Sequence, residues 1–366
     1  MSDTATEMLP LEADIRRRIV AAGPMPVGEY MAICLGDPDH GYYRTREALG
    51  AGGDFITSPE ISQMFGELIG LWTAAIWMRM DQPKRINIVE LGPGRGTLMN
   101  DALRAVKVLP AFRAAIELHL VEISPALKAQ QERTLAEQNV PTTWHASLAD
   151  VPEGPAVIVA NEFFDALPVN QAVKTDSGWY ERRVGIDDGG HLAFTVADQP
   201  LQGFEPLLPP AVCAAPVGAI FEWRSEAEAM ELGRRIARDG GAALVIDYGH
   251  TESAAGDTLQ AVGHHAYADV LGAPGCVDLT AHVDFAALTH AVEAMAARAY
   301  GPITQGQLLH RLGIETRAAK LKARASSPAA IGVDAAFARL TGHGPGEMGS
   351  LFKAVAFAHP AVGAPP

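Results

Sequence analysis

Short continuous apolar runs alternate along the chain with longer stretches of helical spacing. The runs INIVEL at 86–91, AAIELHLVEIS at 114–124, Thr142 to His145, PAVIVA at 155–160 and ALVIDYGH at 243–250 read as strands. Pro155 to Ala160 has no polar position, the pattern of a strand covered on both faces in a parallel sheet. Helical spacing fills 11–22, 27–35, 59–78, 97–108, the stretch after Ser124 and 225–238, with Ser58-Pro59-Glu60 marking a capped start. From Gln171 to Val196 the period changes to two around Asp-Ser-Gly and Asp-Asp-Gly-Gly turns, predicting antiparallel strands inserted into the parallel sheet. The long polar stretch at 251–285 reads as a lid, and two helices flank a strand near 299–303 before a last strand in MGSLFKAVAFAHP. The expected chain is α/β: a helical region over 1–80 with a glycine-rich loop, then a sheet domain over 81–366 with inserts at about 171–222, 251–285 and 304–345.

The run ending at Leu91 opens into Gly92-Pro93-Gly94-Arg95-Gly96, and a helix begins at Thr97. Glycines there let a ligand approach the backbone and permit positive φ. A dinucleotide fingerprint needs glycine where Thr97 stands, so G-x-G-x-x-G is not met. Glu90, two positions before the first glycine, makes the turn similar instead to the first motif of S-adenosylmethionine-dependent methyltransferases. A carboxylate at that strand end attracts a sulfonium and an ammonium, whereas it repels a pyrophosphate.

Other candidates sit at strand and helix ends. Glu122 closes the second strand, where one carboxylate accepts from both hydroxyls of a ribose. Gly-Gly-Asp54-Phe leads to Thr57 and Ser58 and offers N–H groups and a carboxylate to the amino-acid end of a ligand; the alternative is an ordinary capped loop. Ser147 and Leu148 follow the third strand, a usual place for contacts to an adenine. Asn161, Glu162 and Asp165, with Phe163 and Phe164, end the fourth strand, where open α/β sheets place their chemistry; the alternative is a capped loop with the phenylalanines in the core. His282 and Asp284 suggest an Asp–His pair for hydrogen bonding or proton transfer, and their spacing matches no metal motif.

Composition narrows the classes. A net charge of −14 argues against a nucleic-acid partner and fits solubility or a basic substrate. No apolar stretch reaches the roughly 20 residues that span a bilayer, so membrane insertion is not expected. The start MSDTATEMLPLEAD resembles neither a secretory signal nor a transit peptide, and a bacterial cytoplasmic location is expected. Cys34, Cys213 and Cys276 are too far apart in sequence to suggest a disulfide framework or a zinc site. A homodimer stays open.

ELGPGRGT, NEFFDALP, IDYGH and VDLTAHVDF, with GDFITSPEISQMFGE and GPITQGQLLHRLGI, together resemble the MidA family of S-adenosylmethionine-dependent protein arginine methyltransferases, over about Leu11 to His359. The resemblance implies a Rossmann-like seven-stranded methyltransferase fold and S-adenosylmethionine as cofactor. It also implies symmetric dimethylation of an arginine on a core subunit of respiratory complex I. On that reading Glu162 and Asp165 grip the guanidinium, and His282 with Asp284 takes its proton. Two other classes remain: a dinucleotide-dependent oxidoreductase, and a scaffold that binds the cofactor without catalysis.

Overall fold

The computed structural model describes residues 8–45, 57–263 and 266–366. Seven runs satisfy their backbone groups by pairing into one sheet: β1 (Ile86–Leu91), β2 (Ile116–Val121), β3 (Thr142–His145), β4 (Ala156–Asn161), β5 (Gly241–His250), β6 (Arg298–Thr304) and β7 (Phe352–Ala358). Their order across the sheet is β3-β2-β1-β4-β5-β7-β6, with β1 to β5 parallel and β7 antiparallel to both neighbours. Ile88 stands opposite Leu118 on one side and Val157 on the other. The chain runs outward from β1 to β3 and then returns to β4 on the far side of β1. The strand order therefore reverses between β1 and β4, which opens a crevice at their carboxyl ends.

The helices that frame the core and the crevice include α1 (Pro10–Ala22), α2 (Val27–Gly36), α3 (Ser58–Ile61), α4 (Gln63–Arg79), α5 (Thr97–Ala105), α6 (Pro125–Leu135), α7 (Ala227–Asp239), α8 (Phe285–Glu293), α9 (Gln305–Arg311), α10 (Ile314–Lys322) and α11 (Ser327–Thr341). Alternate strand residues serve opposite layers. Ile88, Leu118 and Val157 join Phe65 and Trp72 of α4, Leu98 of α5, and Leu309, Ile314 and Leu340 of α9 to α11. Val89, Ile158 and Val245 meet Leu232 and Ile236 of α7 and Phe285 and Val292 of α8 on the other face.

Several expectations are corrected. The strands of the 171–222 insert do not enter the parallel sheet, because both edges of β4 are already paired, to β1 and β5. They form a separate antiparallel sheet in the order Met25–Pro26, Gly178–Ile186, Val169–Thr175, Ile220–Arg224, with Leu192–Pro200 also on Gly178–Ile186. The first 80 residues accordingly divide. Ile15 of α1 and Tyr30 and Met31 of α2 pack on Val169 and Val184 of that second sheet, while α4 lies on the central one. The single helix expected over 59–78 is two, since Ser62 is extended (φ −163°, ψ 140°) and its hydroxyl accepts the Met64 N–H. β2 starts at Ile116 because Pro110–Ala115 is helical. Within 251–285 the described residues build a small sheet of Gln260–Gly263, Ala266–Ala268 and Asp278–Thr280, and Val283 pairs with Gly249 at the end of β5. No helix among the described residues is long and apolar enough to cross a membrane.

The α4–α5 contact is close because glycine stands in it: a Cβ on Gly70 would lie 2.6 Å from the Cα of Ala102. Gly332 in α11 is exposed and meets nothing within 4 Å. Gly70→Ala should therefore lower the unfolding free energy by about 1–3 kcal/mol through overpacking, whereas Gly332→Ala should raise it by about 0.5–1 kcal/mol through helix propensity. Urea unfolding of both variants checks this; equal effects of one sign would contradict the packing.

Candidate active site

The turn after β1 takes three positive φ values, 62° at Gly92, 53° at Gly94 and 80° at Gly96, which L side chains rarely adopt. Gly92 also leaves room for Phe163, whose ring carbon Cδ2 would sit 3.0 Å from an added Cβ. Gly96 opens α5 and packs against Gln131 of α6. The side-chain amide of Gln131 donates to the carbonyl of Gly94 at 2.7 Å and to Glu122 Oε2 at 3.2 Å, tying the turn to the end of β2. Glu122 Oε1 accepts the Ser124 N–H at 2.8 Å, so one side of the carboxylate is fixed before any ligand arrives.

At the end of β4 the chain reverses sharply. Glu162 takes φ 52°, uncommon for a residue with a side chain, and its N–H still bonds the Ile246 carbonyl at 2.9 Å. The next three N–H groups, of Phe163, Phe164 and Asp165, converge on Oδ2 of Asp247 at 3.2, 3.0 and 3.2 Å. Glu162 is thereby turned to the crevice, where its Oε1 accepts from the Ser58 N–H at 3.0 Å and from Asn161 Nδ2 at 3.1 Å.

These ends enclose a cavity of about 460 Å³. Thr57, Glu90, Gly92, Gly94, Glu122, Ser147, Leu148, Asn161 and Glu162 all line it. Ser58 and Gly96 do not: Ser58 is fully buried behind the wall and Gly96 faces α6. Asp54 lies outside the described residues. Burial pushes the Glu90 carboxyl up to about 8, and its Oε2 has no hydrogen-bond partner among the described residues. Burial raises Glu122 as well, opposed by the Ser124 and Gln131 bonds. Glu162 is pushed up to about 7 by burial, against the Ser58 N–H, which favours the ionised form.

Three of the residues expected to do chemistry lie elsewhere. Asp165 is buried behind the turn beside Arg224, whose guanidinium donates to the carbonyls of Leu167, Asp165, Ala281 and His282. Burial raises both Asp165 and Asp247. Asp284 caps α8 by accepting the N–H groups of Ala286 and Ala287 at 3.0 Å, and the imidazole it faces is that of His250, at 3.7 Å. The ring of His282 stands edge-on to Tyr248, and His250 takes the place beside Asp284 that the sequence suggested for it. Phe164 is a core residue and only Phe163 of the two aromatics lines the cavity.

Glu60 and Tyr43 also line the cavity and Asp247 shapes it, although no motif in the sequence singles them out. Glu60 accepts from Thr97 Oγ1 and faces Arg95 at 3.7 Å, fastening α3 to the glycine turn. An acidic residue inside the apolar run ALVIDYGH was the one signal available for Asp247.

A family described as S-adenosyl-L-methionine-dependent methyltransferases matches residues 68–303. The chain is also 40% identical over 330 residues to the protein arginine methyltransferase NDUFAF7, mitochondrial, of Danio rerio, covering 82% of this chain and 76% of that one. It belongs to the MidA-like methyltransferase family. The Homo sapiens protein of the same name is 39% identical over 349 residues, 87% of this chain and 77% of that one. A crystal structure from Burkholderia thailandensis, bound to S-adenosyl-homocysteine, superposes with a TM-score of 0.84 at 30% identity, covering 97% of this chain and 92% of that one. This MidA-like protein is a methyltransferase whose cofactor is S-adenosyl-L-methionine, which sets the oxidoreductase alternative aside. The residues present fit that cofactor: Glu90 holds an unpartnered buried carboxylate oxygen for a cation, and Glu122 keeps a fixed carboxylate at the end of β2.

Two outcomes are expected. Glu122→Ala should weaken binding of S-adenosylhomocysteine about ten- to a hundredfold, roughly 1.5–3 kcal/mol, in calorimetric titration. At pH 7 the free protein keeps Glu90 protonated, because its value of about 8 lies above that pH, whereas a cationic ligand favours the ionised form. Binding should therefore release a proton, and affinity should rise with pH until Glu90 is ionised, above about 8. Titrations in buffers of different ionisation enthalpy measure this; release that persists in Glu90→Gln would assign the proton to another group.

Proposed function

We propose that this methyltransferase acts on an arginine side chain of a protein, forming symmetric dimethylarginine on a core subunit of respiratory complex I in the bacterial cytoplasm. The observation that carries the reading is Glu162, a half-buried carboxyl in a left-handed turn at the crevice, in the same cavity as Glu90 and Glu122. The names of the relatives, protein arginine methyltransferases, support the acceptor.

The acceptor poses a specific difficulty. A guanidinium, with a pKa above about 12, is a poor nucleophile while charged, so it must be oriented and must lose a proton as the new bond forms. Glu162 suits both tasks. One of its oxygens is already held by Ser58 and Asn161, which fixes the carboxylate and leaves the other oxygen for a guanidinium N–H. Its value of about 7 makes it a stronger base than an ordinary carboxylate. Phe163, edge-to-face on Phe164 at 5.3 Å, presents an apolar wall that keeps water from the reacting nitrogen. When bound, the cofactor would supply an electrophilic methyl group, and Glu162 would take the N–H proton that the acceptor nitrogen loses as it becomes methylated.

Purified protein incubated with methyl-labelled cofactor and the complex I subunit, read by peptide mass spectrometry, tests the proposal. Glu162→Gln should lower kcat on the order of 10²-fold or more while leaving S-adenosylhomocysteine affinity within about twofold. Turnover in the wild type should rise as pH passes through about 7, where Glu162 loses its proton. Equal losses of turnover and affinity would reassign Glu162 to the cofactor. Binding with no labelled subunit would favour the scaffold.

A further inference from the structure

A fully buried glutamine leads from the helical insert to the active-site wall. Gln305 is the first residue of α9 and has no exposed surface, an arrangement that is costly unless both ends of the amide are bonded. Both are bonded. Nε2 donates to the Leu340 carbonyl in α11 at 3.0 Å, and Oε1 accepts the Ser58 hydroxyl at 3.2 Å. Ser58, also without exposed surface, then gives its backbone N–H to Glu162 Oε1 at 3.0 Å. The Met348 sulfur lies 3.7 Å from the same hydroxyl and closes the remaining side. Leu340, Gln305, Ser58 and Glu162 thus form one continuous polar chain through an otherwise apolar contact.

We propose that Gln305 is a positioning residue for methyl transfer: through Ser58 it aims the N–H that holds the Glu162 carboxylate, and so makes the helical insert part of the active site. The kinetic consequence rests on the role given to Glu162 above; the effect on the carboxyl itself does not. No motif assigned to the glycine turn or the cofactor includes α9 or α11. Gln305 touches neither the cavity nor a reacting atom, and it acts only by fixing where Ser58 stands.

The direction of the effect follows from the groups that face Glu162. Asp165 and Asp247 lie behind it and disfavour its charge, Glu60 and Glu90 share its cavity, and Arg339 on α11 draws it the other way. Against this net acidic surrounding the Ser58 N–H and the Asn161 amide are the direct donors to its carboxylate. A donor to the ionised form lowers a carboxyl's proton affinity, so loosening Ser58 raises it.

The full-length chain labelled with carboxyl-¹³C glutamate reports this directly, with the Glu162 resonance identified by its absence in Glu162→Gln. In Gln305→Met, of similar length but unable to bond Ser58, the Glu162 titration midpoint should move upward by roughly one pH unit, a tenfold gain in proton affinity. Ser58→Ala, which keeps the backbone N–H and removes only the hydroxyl, should move it the same way, and the double variant should add nothing further. The acid limb of kcat should follow, with S-adenosylhomocysteine affinity unchanged. A midpoint that stays in place in the folded single variants, or that shifts additively in the double, overturns the proposal; should Gln305→Met melt below the assay temperature, Ser58→Ala decides alone. A midpoint that moves while the acid limb does not would leave the Gln305 linkage standing and count against the catalytic role of Glu162.

Discussion

The active-site turn depends on one buried carboxylate. Asp247 has no exposed surface, and a carboxylate taken out of water without partners costs several kcal/mol. The turn after β4 has the complementary problem: leaving the strand ladder strips Phe163, Phe164 and Asp165 of their acceptors, and Phe164 and Asp165 are buried. Each problem offsets the other, because the three N–H groups meet at Oδ2 while the Tyr248 N–H bonds Oδ1 at 2.9 Å. The left-handed conformation of Glu162 is the geometric result, a strained state held by bonds on both sides of it.

That turn works only because the sheet places it beside another. Reversal of strand order between β1 and β4 brings the glycine turn, the Glu122 carboxylate and the Glu162 carboxyl to one crevice. Gln131 then locks the first two together, and Glu60 locks α3 to the turn. The glycine-turn side of the crevice is thus held mainly by side chains reaching across the ends of parallel strands, and the Glu162 side by backbone N–H groups gathered on one acid.

Much of this was legible in the chain. Glu90, Gly92, Gly94, Glu122, Asn161 and Glu162 stand at or just past the ends of apolar runs, and in a parallel sheet those ends all face one crevice, so position in sequence translates directly into position in space. Asp165 was not legible. Three residues beyond Glu162, its facing is set by the hand of a turn that is fixed by Asp247, 82 residues further on. His282 and Asp284 looked paired because they are two apart on a strand-like run, yet the run ends there and Asp284 becomes the cap of α8. The second sheet was misplaced for a similar reason: alternation shows that a strand has one buried face but not which sheet it joins, and the two-residue strand Met25–Pro26 that completes this one carries no periodic signal.

The charge of the cavity wall gives these acids a common logic. Glu60, Glu90, Glu122, Glu162 and Glu228 line it, with Arg95 the one Lys or Arg among the described lining residues. A buried carboxyl with no counter-charge keeps its proton, and an arriving cation takes the proton's place. Glu90, with 3% of its surface exposed, is the deeper acid, and Glu162 is the more accessible one. On the proposed reading the deep position answers the cation of the cofactor and the outer one the cation of the acceptor. Methyl transfer turns a sulfonium into a neutral thioether, so the attraction exerted by this wall weakens at the moment of reaction. An acidic cleft would therefore attract the charged cofactor more than its spent form.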